Sequence, residues 1–268
     1  FEIDGIAATN ISTTTYGDVT ITLITTEQAA NTHNITYNYN TGTDDEWSFV
    51  TSFTAPTTFT EGVALQLPDS TKISPTQTYK EVDYFTVDGV RATEISSTKT
   101  SDVEVSVVLK NKTYNITYDL DGGSWNGTAG NSTYTYGTSY TLPTNIKAVT
   151  TKEFDHWEIS GTATTEISTT DYGDKTVQAI YKNATYDITW VVNGATLDTG
   201  DEFSVLYPTY TYGTIFYIPT NITMPTGKTF DHWTIDGVVA TAIPDTTYGD
   251  VTITLITTEQ AANTHNIT

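Results

Sequence analysis

The stretch Tyr114-Asn115-Ile116-Thr117-Tyr118-Asp119-Leu120 alternates between apolar or aromatic residues and polar residues. Successive side chains of a strand point to opposite faces, so this alternation predicts a strand with one buried face. Segments of the same kind start at His33-Asn34-Ile35-Thr36, Tyr186-Asp187-Ile188-Thr189 and His265-Asn266-Ile267-Thr268. Four starts of one pattern indicate that the chain is built from internal repeats.

The starts lie 81, 72 and 79 residues apart, and two further spacings recur with them. A glycine followed six residues later by a proline recurs as Gly62/Pro68, Gly137/Pro143 and Gly213/Pro219. An aromatic residue followed after ten residues by Ile, and after seven more by Asp, recurs as Phe1/Ile11/Asp18, Phe85/Ile95/Asp102, Trp157/Ile167/Asp174 and Trp233/Ile243/Asp250. These spacings predict module 1 (residues 33–113), module 2 (114–185) and module 3 (186–264), flanked by a half-module at residues 1–32 and the start of another module at residues 265–268.

A longer period encloses the modules. Residues 1–36 match residues 233–268 at 29 of 36 positions, and residues 14–36 are identical to residues 246–268. This identity is typical of a frame taken from a tandem array, in which residues 1–32 are the second half of a module. The apolar face of that half cannot close a core alone; it comprises Phe1, Ile3, Ile11, Val19, Ile21 and Leu23. We therefore expect the end of one frame to meet the start of the next, within one polypeptide or between chains that polymerise head to tail.

Three further strands are predicted in each module. Residues 133–142 and 209–218 are rich in Tyr and Thr, with a Gly near the middle and a Pro just after, which indicates a second strand interrupted at the Gly. Residues 154–159 and 230–235 predict a third strand, and the alternating residues 103–107 and 251–255 predict a fourth. Helix signals are weak, with single turns at most in residues 144–152, 26–30 and 258–262. The sequence thus predicts a mainly β chain of small modules, each a four-stranded sheet with little or no helix.

The charge balance of the 268 residues excludes several partners. The chain has 32 Asp and Glu against 11 Lys and Arg, a net charge of −21. Such a surface repels phosphate, so we expect no binding to nucleic acid or anionic lipid. No apolar run approaches the ~20 residues that cross a bilayer, so we expect no membrane insertion in this segment. The 12% aromatic content excludes a disordered acidic chain, and a chain without cysteine has no disulfide or thiolate metal site.

The order of these motifs resembles the Listeria-Bacteroides repeat, also called the internalin B repeat. The matching stretches of module 2 are residues 114–123, 136–143, 154–157 and 177–181, and module 3 matches at residues 210–233. Module 1 departs from the pattern, since Val82-Asp83-Tyr84-Phe85 stands where the other modules have Phe-Asp-His-Trp. The resemblance implies a β-grasp-like module that is used in tandem in bacterial and archaeal surface proteins as a stalk, spacer or adhesive segment. It implies no common catalytic residues.

The histidines and the acidic loops are the candidates for metal binding or catalysis. His156 and His232 share one repeat position, and His33 and His265 share another, so four histidines give two distinct sites. A zinc site needs three or four converging ligands, which no spacing here supplies. We expect packing or turn hydrogen bonds at the histidines, and no enzyme activity and no cofactor. Calcium is the open alternative, because acidic loops at residues 43–46, 119–123 and 198–202 offer oxygen ligands without the EF-hand spacing.

Exposed aromatic residues are the candidates for a sugar-binding platform. Trp47, Trp125 and Tyr134 fall at positions that do not match a core pattern, so they are predicted to face a ligand such as a glycan. By contrast, Trp157, Trp190 and Trp233 are predicted to fill the small cores. On this interpretation, truncating Trp47 changes stability little.

Asn-x-Ser/Thr acceptor sequences are frequent. Nine candidates for N-glycosylation occur, at Asn10, Asn34, Asn111, Asn115, Asn126, Asn131, Asn183, Asn221 and Asn266. On a strand, Asn115 and Thr117 share the face opposite to Ile116, so the acceptor is predicted to be exposed.

Two classes of function are consistent with these patterns. The first is a non-catalytic structural segment of an extracellular, cell-surface stalk, sheath or fibre whose partners are neighbouring repeats or copies of itself. The second is an adhesin whose divergent module 1 binds a glycan or a partner protein. The sequence favours the first, because the repeats are regular and no catalytic constellation is present.

Overall fold

The structure, a computed structural model, describes residues 1–14, 16–26 and 28–260. The chain divides into two compact units, Phe1–Lys112 and Thr113–Thr268, which are described separately. The described part is mainly β, as predicted, and its helices are the α-helical turn α1, Phe203–Leu206, and a 3-10 turn, Ser70–Lys72. None of the described helices is long and apolar enough to cross a bilayer.

The first unit contains twelve strands in the described residues. The half-module supplies β1 (Glu2–Ile3), β2 (Ile6–Ala7) and β3 (Ile21–Thr22). Module 1 supplies β4 (Thr32–Asn38), β5 (Trp47–Phe49), β6 (Thr58–Thr60), β7 (Leu65–Gln66), β8 (Ile73–Pro75), β9 (Lys80–Val87), β10 (Val90–Ala92), β11 (Glu94–Ile95) and β12 (Val103–Asn111). The three half-module strands form their own small sheet in the order β2-β1-β3.

The second unit contains two modules, each with nine strands in the described residues. Module 2 supplies β13 (Thr113–Asp119), β14 (Ser124–Trp125), β15 (Thr133–Thr135), β16 (Tyr140–Thr141), β17 (Ile146–Lys147), β18 (Lys152–Ile159), β19 (Thr162–Thr164), β20 (Glu166–Ile167) and β21 (Lys175–Asn183). Module 3 supplies β22 (Thr185–Val191), β23 (Thr196–Leu197), β24 (Thr209–Thr211), β25 (Phe216–Tyr217), β26 (Ile222–Thr223), β27 (Lys228–Ile235), β28 (Val238–Val239), β29 (Ala242–Ile243) and β30 (Val251–Glu259).

Each module has one five-stranded mixed sheet. The strand orders are β10-β9-β12-β4-β6, β15-β13-β21-β18-β19 and β24-β22-β30-β27-β28. In all three sheets the first and last long strands lie side by side and parallel; in module 2 their register runs from Ile116 opposite Lys175 to Asp119 opposite Gln178. Parallel neighbours need a long crossover, and here it is made of short two-stranded ribbons such as β14–β17 and β16–β20.

The core of each module lies on one face of its sheet. The last long strand alternates strictly, so that Val103, Val105 and Val107 are buried while Glu104 between them is exposed. Trp157 and Trp233 lie at matching positions of the third long strand and are 2% and 4% exposed, which confirms their predicted place in the core. Each module therefore closes its own small core, because the crossover ribbons cover the apolar face of the sheet.

Several details differ from the predicted elements. The main sheets have five strands rather than four, because the turn after the third strand folds back as an extra edge strand. The predicted second strand is two strands, β15 and β16, since Gly137 has a φ of 82° and turns the chain between them.

The predicted helical turns are wrong where the structure describes them. Residues 144–152 contain β17 and the start of β18, and residues 26 and 28–30 are irregular. Thr258 belongs to β30 and pairs with Thr229, a pairing that suits its β-branched side chain. Residues 27, 261 and 262 of these predicted turns lie outside the described residues.

Candidate functional site

The junction between modules 2 and 3 is the part of the second unit where two repeats meet. β21 ends at Asn183 and β22 begins at Thr185, so Ala184 is the single residue between two sheets. A connector of one residue leaves few backbone dihedrals free to vary between the two modules. The orientation of module 3 relative to module 2 therefore depends on the contacts that fix the backbone of Ala184.

Ala184 is held from both sides by backbone hydrogen bonds. Its N–H donates to the carbonyl of Thr151 in module 2 at 3.0 Å, and its carbonyl accepts from the N–H of Tyr212 in module 3 at 2.9 Å. The residue is 7% exposed, so both bonds are shielded from water. A third hydrogen bond joins the two modules, because the Tyr186 hydroxyl donates to the carbonyl of Thr150 at 2.5 Å.

A glycine allows the two modules to approach closely here. Gly213 adopts a φ of 83°, and a Cβ at this position would lie 2.9 Å from Nδ2 of Asn183. The Asn183 side chain is fixed in turn, because Lys152 Nζ donates to its Oδ1 at 2.8 Å. The glycine of the recurring glycine-proline spacing thus serves two purposes in module 3: it permits a left-handed turn and it makes room for the preceding module.

The backbone bonds of this junction recur elsewhere in the chain. Lys112 donates its N–H to the Tyr79 carbonyl at 2.9 Å, and Gln260 donates to Gly227 at 2.9 Å, each at the position equivalent to Ala184. Ahead of module 1, the carbonyl of Asn31 accepts from the Glu61 N–H at 2.8 Å, which matches the bond from Tyr212 to Ala184. Each of these three positions shows one of the two backbone bonds of Ala184, so this part of the bonding recurs with the repeat.

An aspartate in each module ties the loop before the last strand to the first strand. The Asn115 N–H donates to Asp174 Oδ1 at 2.8 Å. Matching bonds join Asn34 to Asp102 at 2.7 Å and Asp187 to Asp250 at 3.0 Å. The hydrogen bonds from Asn34 hold the pKa of Asp102 below its usual range. This contact explains why an Asp recurs at a fixed distance after the aromatic and Ile positions.

The aromatic residues predicted to face a ligand lie elsewhere. Trp47 is 1% exposed and Tyr134 is 4% exposed, so their predicted placement outside the core is wrong. The Trp47 indole packs against Tyr39 and Phe49, with ring centroids 4.8 and 5.2 Å away. Trp125 is half-buried and packs against Tyr118 at 4.9 Å.

Polar contacts anchor the same aromatic side chains inside the modules. Trp47 donates its indole N–H to the Asn38 carbonyl at 3.0 Å, and the Tyr134 hydroxyl donates to the Gly173 carbonyl at 2.6 Å. Burial raises the pKa of Tyr134 to about 12. For Trp47 the sequence contained a signal of burial. Trp125 and Leu197 both lie nine residues after the buried Ile of the first strand. Trp47 is the matching residue of module 1, where a longer loop places it twelve residues after Ile35.

The glycosylation candidates fall into three groups. Those with exposed side chains in the described residues are Asn10, Asn34, Asn115, Asn126, Asn131, Asn183 and Asn221. Asn111 is half-buried at the end of β12, and Asn266 lies outside the described residues. The amides of Asn34 and Asn115 donate to Asp102 at 3.2 Å and to Asp174 at 3.3 Å, so modification there would replace a contact within the module. Asn126 and Asn131 lie in the loop between β14 and β15.

The histidines and acidic loops have partners within the protein. His156 lies 2.7 Å from Asp155 and 3.3 Å from Glu158, and the hydrogen bonds to these carboxylates raise its pKa. In the first acidic loop Asp44 and Asp45 contact Lys80 at 3.3 and 2.9 Å.

The other two acidic loops are partly engaged as well. Asp119 accepts from the Asp121 N–H at 3.1 Å, and Asp198 accepts from the Thr223 hydroxyl at 3.0 Å. Within the described residues, no three His, Asp or Glu side chains are grouped so that they could hold a metal ion. Calcium binding stays a prediction that these contacts do not favour.

Comparisons with family models, with curated proteins and with solved structures found no match to this chain.

Proposed function

We propose that this chain is a non-catalytic, load-bearing segment of an extracellular tandem-repeat protein, in which each module is a rigid link. The observation that carries the proposal is the junction at Ala184, whose N–H and carbonyl are bonded to different modules at 3.0 and 2.9 Å. A binding module needs an accessible site, whereas a stalk or fibre needs neighbours at a fixed angle. A buried connector of one residue meets the second requirement.

The sheet topology supports the load-bearing role. The chain enters module 2 at the first residue of β13 and leaves it at the last residue of β21, and these strands are adjacent and parallel. Entry and exit consequently lie at opposite ends of the strand pair. Tension along the chain slides one strand past the other, so the bonds between them are loaded together rather than broken one at a time. The same parallel pairing joins β4 to β12 and β22 to β30.

The surface location rests on two further points. The motif order resembles the Listeria-Bacteroides repeat, which serves in surface proteins, and exposed loop acceptors such as Asn126 and Asn131 suit glycosylation outside the cell. The net charge of −21 and the exposed threonines keep such an array soluble.

The three aromatic candidates give little support to the adhesin alternative. Of its three aromatic candidates, Trp47 and Tyr134 are core residues and Trp125 packs against Tyr118. Binding of a glycan or partner protein by module 1 stays a second hypothesis with no exposed platform among these residues to support it.

Single-molecule pulling with two attachment geometries tests the load-bearing role. Because the chain has no cysteine, engineered pairs define the direction of force in the full chain. Thr113→Cys with Lys182→Cys loads β13 and β21 in shear, whereas Asp119→Cys with Gln178→Cys pulls on two residues that lie directly opposite each other and peels the strands apart. All four positions are exposed. We expect a several-fold higher unfolding force in shear; equal forces in both geometries would refute the proposal.

A further inference from the structure

Two copies of one sequence are buried to different extents in this protein. Residues 14–36 and 246–268 are identical, yet Ile21 and Leu23 are 57% and 75% exposed while their counterparts Ile253 and Leu255 are 0% and 1% exposed. Phe1 and Ile11 are about half exposed, whereas Trp233 and Ile243 at the matching positions are buried. We call Phe1, Ile11, Ile21 and Leu23 the half-module face. The exposure of Ile21 and Leu23 follows from their surroundings, since residues 14–36 and 246–268 have the same sequence.

The half-module already has the internal geometry of a complete module. In the half-module the N–H of Thr20 donates to Asp4 Oδ1 at 2.9 Å, and the N–H of Asp4 donates back to the Thr20 carbonyl at 2.9 Å. Asp236 and Thr252 make the same two bonds at 2.9 and 2.9 Å in module 3. The strands β1 and β3 are therefore positioned as β27 and β30 are, which lowers the cost of ordering a partner on them.

Module 3 shows what covers this face. Val251 and Ile253 pair in parallel with Ile188 and Trp190 of β22, and Ile243 pairs with Phe216 of β25. The rest of the cover comes from the same half of the module, with the buried side chains Leu197, Phe203, Tyr210 and Ile218. In module 3, residues 185–232 thus cover the stretch whose sequence the half-module shares with residues 233–259.

We propose that the half-module face is a docking surface for a first-half segment of this repeat, one with the apolar pattern of residues 185–232. The segment would add a strand parallel to β3, with Ile21 opposite the residue equivalent to Trp190. The proposal rests on the tandem-repeat role proposed above, although it concerns a different surface from the Ala184 junction.

A second copy of the chain is a poor occupant of the face. Its own residues 185–232 are already covered by its residues 233–259, which carry nearly the same sequence as the half-module. An intramolecular partner outcompetes an equal intermolecular one, because its effective concentration reaches the millimolar range. The occupant is therefore a first-half segment that is not already covered by a second half of its own.

Thiol labelling of the full chain tests this docking. Leu23→Cys is placed in the native chain and in a chain extended ahead of Phe1 by a second set of residues 185–232. Ile6→Cys is the matched control, since Ile6 is 73% exposed and its counterpart Val238 in complete module 3 is 70% exposed. We expect the extension to slow labelling at residue 23 by at least about tenfold, through local closure, and to leave residue 6 unchanged. Replacing the residue equivalent to Ile188 in the extension by Asp should restore fast labelling.

Two results would overturn the proposal. The first is labelling at residue 23 that stays as fast as labelling at residue 6 in the extended chain. The second is protection of residue 23 in the native chain that grows with protein concentration, because it would assign the face to a second copy. Hydrogen exchange of the unsubstituted chains at residues 19–24 gives the same answer without any substitution. If the shear and peeling forces differ as expected but residue 23 stays reactive, the docking proposal is wrong while the load-bearing proposal stands.

Discussion

Replacing Trp47 by Ala should strongly destabilise module 1. The side chain is 1% exposed, and its indole packs between Tyr39 and Phe49. Truncating a buried Trp costs about 3–5 kcal/mol through lost burial and the cavity left behind. The Asn38 carbonyl that accepts the indole N–H also accepts from Ser106 Oγ at 3.1 Å, so it keeps a partner and adds little to the loss. A module of this size has about 0.05–0.15 kcal/mol per residue, so the change removes much of its free energy of unfolding.

Hydrogen exchange resolved by module is the suitable assay, because a chain of several modules does not unfold in one step. Amides of β12 should exchange faster by about two to four orders of magnitude in Trp47→Ala, since each 1.4 kcal/mol is a factor of ten, while those of β21 in module 2 should not change. Trp47→Phe keeps the six-membered ring in the core and leaves a smaller cavity, so it should cost clearly less than Trp47→Ala. A loss below about 1 kcal/mol for Trp47→Ala would refute the placement of Trp47 in the core.

Two further predictions concern polar contacts of module 2. Asp174→Ala removes the acceptor of the Asn115 N–H and should lower the free energy of unfolding of the module by about 1 kcal/mol, measured by hydrogen exchange of the β21 amides; Asp174→Asn, which keeps an acceptor oxygen, should lose less, and equal losses would contradict the contact. The pKa of His156 should lie above its ordinary value of 6.5, because hydrogen bonds to Asp155 and Glu158 favour the charged ring. Its stabilising contribution is then fully present below pH 6.5 and is lost as pH rises through the raised pKa. An NMR titration checks this: Glu158→Gln should lower the value, and a His156 that titrates at or below 6.5 in the native chain would contradict the contacts.

Much of the fold followed from the sequence because the module is specified by short patterns that recur. Alternation in residues 114–120 and 251–255 located the first and last strands, since one face of each is buried. The extra edge strand of each sheet was not predicted, because a strand of two or three residues after a tight turn carries no periodic signal. Trp47 and Tyr134 were misplaced because they lie in strands of only three residues, which carry no periodic signal.

The candidate site was harder to predict than the sheets. The spacing of Gly213 and Asp174 was visible in the sequence, but the contacts that require them join residues far apart in the chain. Ala184 is a small residue with no motif of its own, and its importance comes from two backbone hydrogen bonds and from burial. Neither follows from the identity of the residue, because every residue except proline offers the same backbone groups.

The Ala184 junction should hold modules 2 and 3 at a fixed angle. The most direct test is a distance distribution between two spin labels in the full chain, at Thr162→Cys in module 2 and Val239→Cys in module 3, both exposed edge-strand positions. We expect a single narrow distribution that broadens markedly when three glycines are inserted after Ala184, because the insertion uncouples its N–H and carbonyl bonds. A distribution in the native chain as broad as that of the insertion variant would show that the junction does not fix the angle.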